Sequence, residues 1–259
     1  MNFQMLFQEK DCIGCRECMR PCDDGAITFG DDDFYPNIDR KKCISCLSCV
    51  EACPTKALHV SGSRMSVEEV MEEVLRDKAF YDKSGGGLTL SGGEALMQPE
   101  FAIALLDAAR SQGIHTAIET TGYAQPEVFD CVTEHADLIL FDFKQLDDGK
   151  HQQYTGVSNK LILRNLKTTI GREKPELIVR IPVIPDFNHS PDEMAEMAEF
   201  LVEQGAKKVH LLPFHQMGEN KYKMLGIDYE FGEYKALHEE DLIDHLKTFL
   251  SYGLEAEIM

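Results

Sequence analysis

Beyond residue 62 the apolar positions fall into two alternating rhythms. Short, nearly continuous apolar runs over 88–90, 114–119, 138–141, 177–183, 209–212 and 254–259 predict strands. Between them, apolar residues return every three or four positions, which predicts helices. Val67, Val70, Met71, Val74 and Leu75 make one such stripe behind a Ser66-Val67-Glu68-Glu69 capping box, and this helix is expected to end near Lys83. Helices are also expected over 101–110 (closed by Gly113), 126–134, 159–169 (closed by Gly171) and 240–251 (closed by Gly253). Another is capped by Ser190, carries Pro191 in its first position and stops at Gly205.

This alternation predicts an α/β fold built from βαβ units around a parallel sheet. The strands read as apolar on both faces, which agrees, because parallel strands are covered on both sides. Five or six repeats suit a barrel or partial barrel. No Gly-x-Gly-x-x-Gly opens a helix, which counts against a dinucleotide-binding sheet.

Residues 1–62 lack both rhythms. Residues 1–10 read as a short strand or lead-in, and Asp31-Asp32-Asp33 as a solvated turn. Eight of the nine cysteines form two runs: Cys12, Cys15, Cys18 and Cys22, then Cys43, Cys46, Cys49 and Cys53. Both have the Cys-x-x-Cys-x-x-Cys-x-x-x-Cys spacing of two-cluster ferredoxins, and Pro54 completes the pattern of the second. Ala26-Ile27 and Ala57-Leu58 follow the runs at the same offset, so the region is an internal duplication of about 31 residues. Three thiols of a tight loop can face one [4Fe–4S] cube, and the fourth cysteine of each run reaches the other. The expected quartets are therefore Cys12, Cys15, Cys18 and Cys53, and Cys43, Cys46, Cys49 and Cys22. Zinc sites use two Cys-x-x-Cys pairs without further regular cysteines, and disulfides need an oxidising compartment.

At 259 residues the chain is long enough for a small domain, 1–62, and a larger one, 63–259, divided at Ser61-Gly62-Ser63. No apolar run approaches the ~20 residues of a membrane span. Met1-Asn2-Phe3-Gln4 has no signal-peptide character, so a reducing cytoplasm is the expected location. The net charge of −19 argues against nucleic acid as a partner and reads as solubility, with a docking face for a basic partner as the alternative.

In parallel α/β barrels chemistry gathers at the C-terminal ends of the strands. Here those ends carry Ser91-Gly92-Gly93-Glu94, Glu119-Thr120-Thr121-Gly122, Asp142-Phe143-Lys144, Arg180, and Pro213-Phe214-His215. Each alone has a bland reading as a turn, an ion pair or a structural histidine. Together they suit a zwitterionic ligand, with Glu94 and exposed backbone meeting an ammonium, Lys144 or Arg180 a carboxylate, and His215 an adenine or ribose. Cys131, inside a helical stretch, reads as a buried small hydrophobe.

These motifs, with Gly85-Gly86-Gly87-Leu88-Thr89-Leu90, Tyr154-Thr155-Gly156-Val157-Ser158-Asn159 and Arg180-Ile181-Pro182-Val183-Ile184-Pro185, resemble the glycyl-radical-enzyme activating enzymes. Those are radical S-adenosylmethionine (SAM) proteins of the pyruvate formate-lyase activating type, here of the subgroup with a ferredoxin-like insert. The resemblance covers 11–259. It implies a partial (β/α)6 barrel lacking its first strand. It implies two ferredoxin-type clusters and reductive cleavage of SAM to a 5′-deoxyadenosyl radical, which removes hydrogen from a glycine of a partner glycyl radical enzyme. A reduced flavodoxin or ferredoxin would be the electron donor. By the same resemblance Gly92, Gly93 and Glu94 hold the methionine amino end, Asp142, Phe143 and Lys144 match the family's Asp-x-Lys, and Glu119, Arg180 and His215 fall at cofactor-contacting positions.

One departure stands out. The family's Cys-x-x-x-Cys-x-x-Cys loop, which ligates the catalytic cluster, does not occur in these 259 residues. The expectation is a fragment or mis-set start, inactive alone, with the third [4Fe–4S] cluster belonging to a full-length form. The alternative is a non-catalytic, ferredoxin-type electron-transfer protein.

Overall fold

The computed structural model describes residues 4–259. Its chain forms two compact units. One contains the residues up to Arg64 together with Gln216–Tyr234, and the other contains Met65–His215 and Lys235–Met259.

In the smaller unit β1 (Met5–Phe7) pairs antiparallel with β4 (Leu58–Val60), and β2 (Ile27–Thr28) with β3 (Asn37–Ile38). The duplication is visible in the backbone. Arg16 and Leu47 both take the left-handed conformation, at φ 60° and 67°. Each opens a short helical turn, Glu17–Met19 and α1 (Ser48–Glu51), that buries the third cysteine of its run. Met5, Cys18, Ile27, Cys49 and Leu58 form the core of this unit.

Residues 216–234 also pack here, whereas a division at 62/63 leaves them with the larger region. Arg40 Nη2 donates to the Met224 carbonyl (3.1 Å), and Lys223 pairs with Glu9 (2.9 Å). The Gln216 amide donates to the Gly232 carbonyl (2.9 Å), and Tyr222, Tyr229, Phe231 and Tyr234 stack in succession. Contacts of this kind leave no periodic trace in a sequence.

The larger unit follows the predicted alternation: α2 (Val67–Arg76), α3 (Lys78–Ser84), β5 (Gly87–Leu90), α4 (Pro99–Ser111), β6 (His115–Thr120), α5 (Pro126–Thr133), β7 (Leu138–Asp142), α6 (Asp148–Thr155), α7 (Lys160–Thr169), β8 (Glu176–Val183), α8 (Pro191–Gln204) and β9 (Lys208–Pro213). The smaller unit's segment supplies α9 (Glu219–Leu225), and α10 (Glu239–Ser251) and β10 (Glu255–Ile258) complete the chain. The six strands β5 to β10 are parallel and lie in sequential order, so each crossover joins neighbours, as in a barrel wall. Among the described residues the sheet is open, with β5 and β10 at its edges.

Within the larger unit two helical stretches differ from expectation. The stretch from Val67 to Lys83 breaks at Asp77 (φ −96°, ψ 4°) into α2 and α3, at a residue of low helix propensity. Helix α6 has no apolar stripe, and only His151 is buried. Its signals were the Asp147 N-cap, which accepts from the Lys150 amide (2.6 Å), and the left-handed Gly156.

Strand alternation sets which face does what. Thr120, Phe141, Val179 and Val209 stand in register and are buried beneath the helices, in a core with Phe129, Leu166, Met197, Leu201 and Phe249. Phe129 and Phe141 meet edge-on at 6.0 Å. On the opposite face Asp142, Arg180 and His210 stand in register and stay half-buried. Gly87 is needed where β5 approaches β6, since a Cβ there would run into the His115 carbonyl oxygen.

Candidate functional site

Two cavities in the smaller unit are walled by thiols. One, of about 20 Å³, is lined by Cys12, Cys15, Cys18 and Cys53 with Phe7, Phe29 and Leu58. The other, also about 20 Å³, is lined by Cys22, Cys43, Cys46 and Cys49 with Met5 and Ile27. Each takes three thiols from one run and the fourth from the other, and none of the eight is in a disulfide. Among the described residues no three His, Cys, Asp or Glu side chains converge as they would on a single ion. The quartets instead enclose space, which fits a group of several atoms with four thiolate corners. Burial, then the neighbouring thiols, pushes Cys18 and Cys49 up to about 11. Cys53 lies below the ordinary thiol range. Burial opposes this, but the Leu58 amide (3.5 Å) and the Thr55 side chain (3.8 Å) outweigh it.

In the larger unit the predicted residues collect at the C-terminal strand ends. Arg180 is the hub. It donates to Asp142 through Nε (3.0 Å) and Nη2 (2.7 Å), and Nη2 also donates to Glu119. Ser91 Oγ reaches the second Glu119 oxygen (2.8 Å), which ties the glycine-rich turn after β5 to the end of β6. Burial raises the Glu119 pKa, but its bonds from Arg180 and Ser91 and the charges of Arg180 and Lys144 bring it below the ordinary range. Lys144 Nζ stands 3.8 Å from Asp142.

Three residues do something other than expected. The Glu94 carboxylate does not await an ammonium. It accepts from the Leu96 amide (3.2 Å), Thr120 Oγ1 (2.7 Å), Thr121 N (3.0 Å) and Thr121 Oγ1 (2.7 Å), so what it leaves toward a ligand is backbone. Arg180 is engaged by two carboxylates rather than open to one from a ligand. The Phe143 side chain turns into the core against Phe200 (5.7 Å), and its amide donates to the Arg180 carbonyl (2.8 Å). Gly92, at φ 123°, holds a turn that other residues adopt only with strain, and Gly93 beside it has open space around its Cα. His215 lies exposed just beyond β9.

Buried amides were missed. Asn188 Nδ2 donates to the carbonyls of Lys144 (2.7 Å) and Pro182 (2.8 Å), and its oxygen accepts from Ile184 N (2.7 Å). Asn165 spans the Gly122 and Ala124 carbonyls (2.8 Å each). Gln145 reaches the Phe187 carbonyl (2.7 Å), and Asn159 the Gln145 carbonyl (3.0 Å). These side chains bind the loops after β7 and β8 to one another and the loop after β6 to α7. Their only sequence signal was polarity, in the loops that follow strands for Gln145 and Asn188 and along or beside α7 for Asn159 and Asn165. Cys131 corrects an expectation: it is exposed, because α5 buries Phe129, Val132 and Thr133 and turns position 131 outward. A wider cleft, about 510 Å³, opens at the opposite end of the sheet, where Arg172 and Lys208 are already paired with Asp130 and Glu176.

Comparison with known proteins joins the two units' features. The family model for the Radical SAM superfamily matches residues 51–212, and that for the 4Fe-4S dicluster domain matches 4–54. The chain is 40% identical over 246 residues to the choline trimethylamine-lyase activating enzyme of Oleidesulfovibrio alaskensis, covering 93% of this chain and 79% of that one. It is 38% identical over 258 residues to the trans-4-hydroxy-L-proline dehydratase activating enzyme of Clostridioides difficile, covering 98% and 84%. Among solved structures, a domain of a pyruvate-formate lyase-activating enzyme from Bacteroides vulgatus aligns with TM-score 0.55 and 34% identity, over 68% of this chain and 99% of that one. A radical SAM methyltransferase from Sphaerobacter thermophilus shares the fold at 12% identity, with TM-score 0.57, over 75% of this chain and 57% of that one.

Proposed function

The chain belongs to the radical SAM superfamily, among the enzymes that activate glycyl radical enzymes, and from that membership we propose a division of labour along it. The observation that carries the proposal is the pair of thiol-walled cavities, each built from both cysteine runs. Cys12, Cys15, Cys18 and Cys53 hold one [4Fe–4S] cluster, and Cys22, Cys43, Cys46 and Cys49 hold a second. Both serve electron transfer in a reducing cytoplasm, with a reduced flavodoxin or ferredoxin as donor. SAM binds at the strand ends of the larger unit. The backbone at Gly92, Gly93 and Glu94 receives its amino group and Lys144 its carboxylate. His215 lies along its nucleoside, and Glu119, Asp142 and Arg180 form the rigid charged frame that keeps these groups in place. When bound, SAM supplies the hydrogen-abstracting chemistry with which this family activates a backbone glycine. The relatives serve lyases, dehydratases and a decarboxylase at 35–43% identity, so the reading is made for the protein substrate, a glycyl radical enzyme.

The residues present do not fit the family's catalytic cluster. The one thiol outside the quartets is Cys131, exposed on α5. The test is anaerobic expression from the native locus and reconstitution with iron, sulfide, SAM and a strong reductant, followed by incubation with a candidate glycyl radical enzyme. A glycyl-radical EPR signal in the partner is expected. Partners that stay silent here, yet respond to their own activating enzymes, would overturn the proposal.

A further inference from the structure

Arg40 carries the one buried side-chain nitrogen or oxygen without a partner among the described residues, its Nε. The guanidinium is held from the other side. Nη1 donates to the Met5 carbonyl (2.6 Å) and Nη2 to the Met224 carbonyl (3.1 Å). Neither acceptor carries a charge. The Met5 side chain itself lines the cavity of Cys22, Cys43, Cys46 and Cys49, with its sulfur 3.2 Å from Cys49 Sγ. Arg40 therefore sits one layer behind that cavity, within electrostatic reach of Cys43 and Cys49 and with no carboxylate among the charges that act on it. Burial draws its pKa down, yet a guanidinium stays protonated throughout the physiological range.

The duplication does not repeat this charge. The position equivalent to Arg40 beside the other quartet is Glu9, an acid paired with Lys223 near the surface. Other charges lie near both cavities. Arg16 lines the first and Asp24 the second, but both are exposed and screened by water. Cys53 receives its own bonds from Leu58 and Thr55. A half-buried cation with no carboxylate against it acts over a path of lower dielectric and is felt more strongly than its exposed counterparts. Net charge and hydrogen bonding around an iron–sulfur cluster set its potential, since reduction adds a negative charge.

We propose that Arg40 is the redox-tuning residue of the cluster held by Cys22, Cys43, Cys46 and Cys49, its fixed positive charge stabilising the reduced state of that cluster and not of its twin. The inference rests on the two-cluster reading above. One electron, delivered by a low-potential one-electron donor, is held there with no bond made or broken.

The experiment is an EPR-monitored redox titration of reconstituted protein, with iron and sulfide measured first. A Cys15→Ser background removes the twin's signal. Arg40→Gln is expected to move the remaining cluster to a more negative potential by at least tenfold in its reduction constant, or 59 mV for one electron. Arg40→Lys, which keeps the charge on a shorter reach, moves it the same way by less, and carries the test should Arg40→Gln fail to assemble. Lys223→Ala loosens the same segment without touching the charge and leaves the potential in place. An unmoved potential in Arg40→Gln, one in Arg40→Lys at or above wild type, or an equal drop in Lys223→Ala overturns the inference. Wild-type protein that never takes up two four-iron clusters instead overturns the reading beneath it.

Discussion

Replacing Arg180 by methionine keeps the volume and removes the charge that two carboxylates share. Asp142 is left with Lys144 at 3.8 Å, and Glu119 with the Ser91 hydroxyl at 2.8 Å. Breaking a buried ion pair from one side costs about 3–5 kcal/mol, because a charge stays buried without compensation. The Asp142 side chain retains 18% exposure and that of Glu119 30%, so water recovers part of the loss. We expect Arg180→Met to cost about 2–3 kcal/mol at pH 7, and Arg180→Lys about half of that, since it keeps the charge but not the fork. The cost carries a pH signature. Glu119 is held below its unfolded value by Arg180, so its contribution is present above the ordinary carboxylate range, near pH 4.3, and is lost as pH falls through its folded pKa. The gap between wild type and Arg180→Met is therefore full at neutral pH and narrows below about pH 4.3. Urea unfolding of the cluster-free chain, followed by far-ultraviolet circular dichroism at pH 7 and pH 4, measures it. A difference below about 0.5 kcal/mol, or one that does not change between the two pH values, would refute the hub role assigned to Arg180.

Three further outcomes are expected. Glu94→Gln sets an amide donor against four existing donors and should cost about 1–3 kcal/mol, with faster hydrogen exchange at the Thr121 amide. Gly87→Ala forces β5 away from β6 and should cost about 3 kcal/mol or more, read as a lowered thermal midpoint of the larger unit. Colorimetric analysis of the reconstituted 259-residue chain should find about eight irons, from two four-iron clusters. About four irons or about twelve would refute the assignment of every thiol but Cys131 to the two cavities.

What could be read from residues alone depended on how local the cause was. The six sheet strands and most helices were legible because burial imposes a period, and Ser66, Ser190 and Gly205 mark helix ends by bonds they make within a few residues. The cysteine runs were legible for the same reason. Glu94, Arg180 and Phe143 were found as members of the strand-end set, but their partners were not. Those partners lie 26 to 61 positions away and meet only once the sheet has formed. Asn165 and Asn188 gave only polarity as a signal, since an amide that satisfies loop carbonyls looks like any polar residue of its helix or loop. The packing of 216–234 with the cysteine region was equally silent, for it depends on Met224 and Lys223 meeting Arg40 and Glu9 across most of the chain.

That split construction also orders events during synthesis. Cys53 leaves the ribosome well before Gln216–Tyr234, the stretch that completes the same unit. At about 5–20 residues per second the interval lasts roughly 10 to 30 seconds. Throughout it the thiol cages stand without the helix that later leans on Arg40 and Glu9. All eight cage thiols, and every other residue that lines the two cavities, are therefore made before the segment that buttresses them from behind.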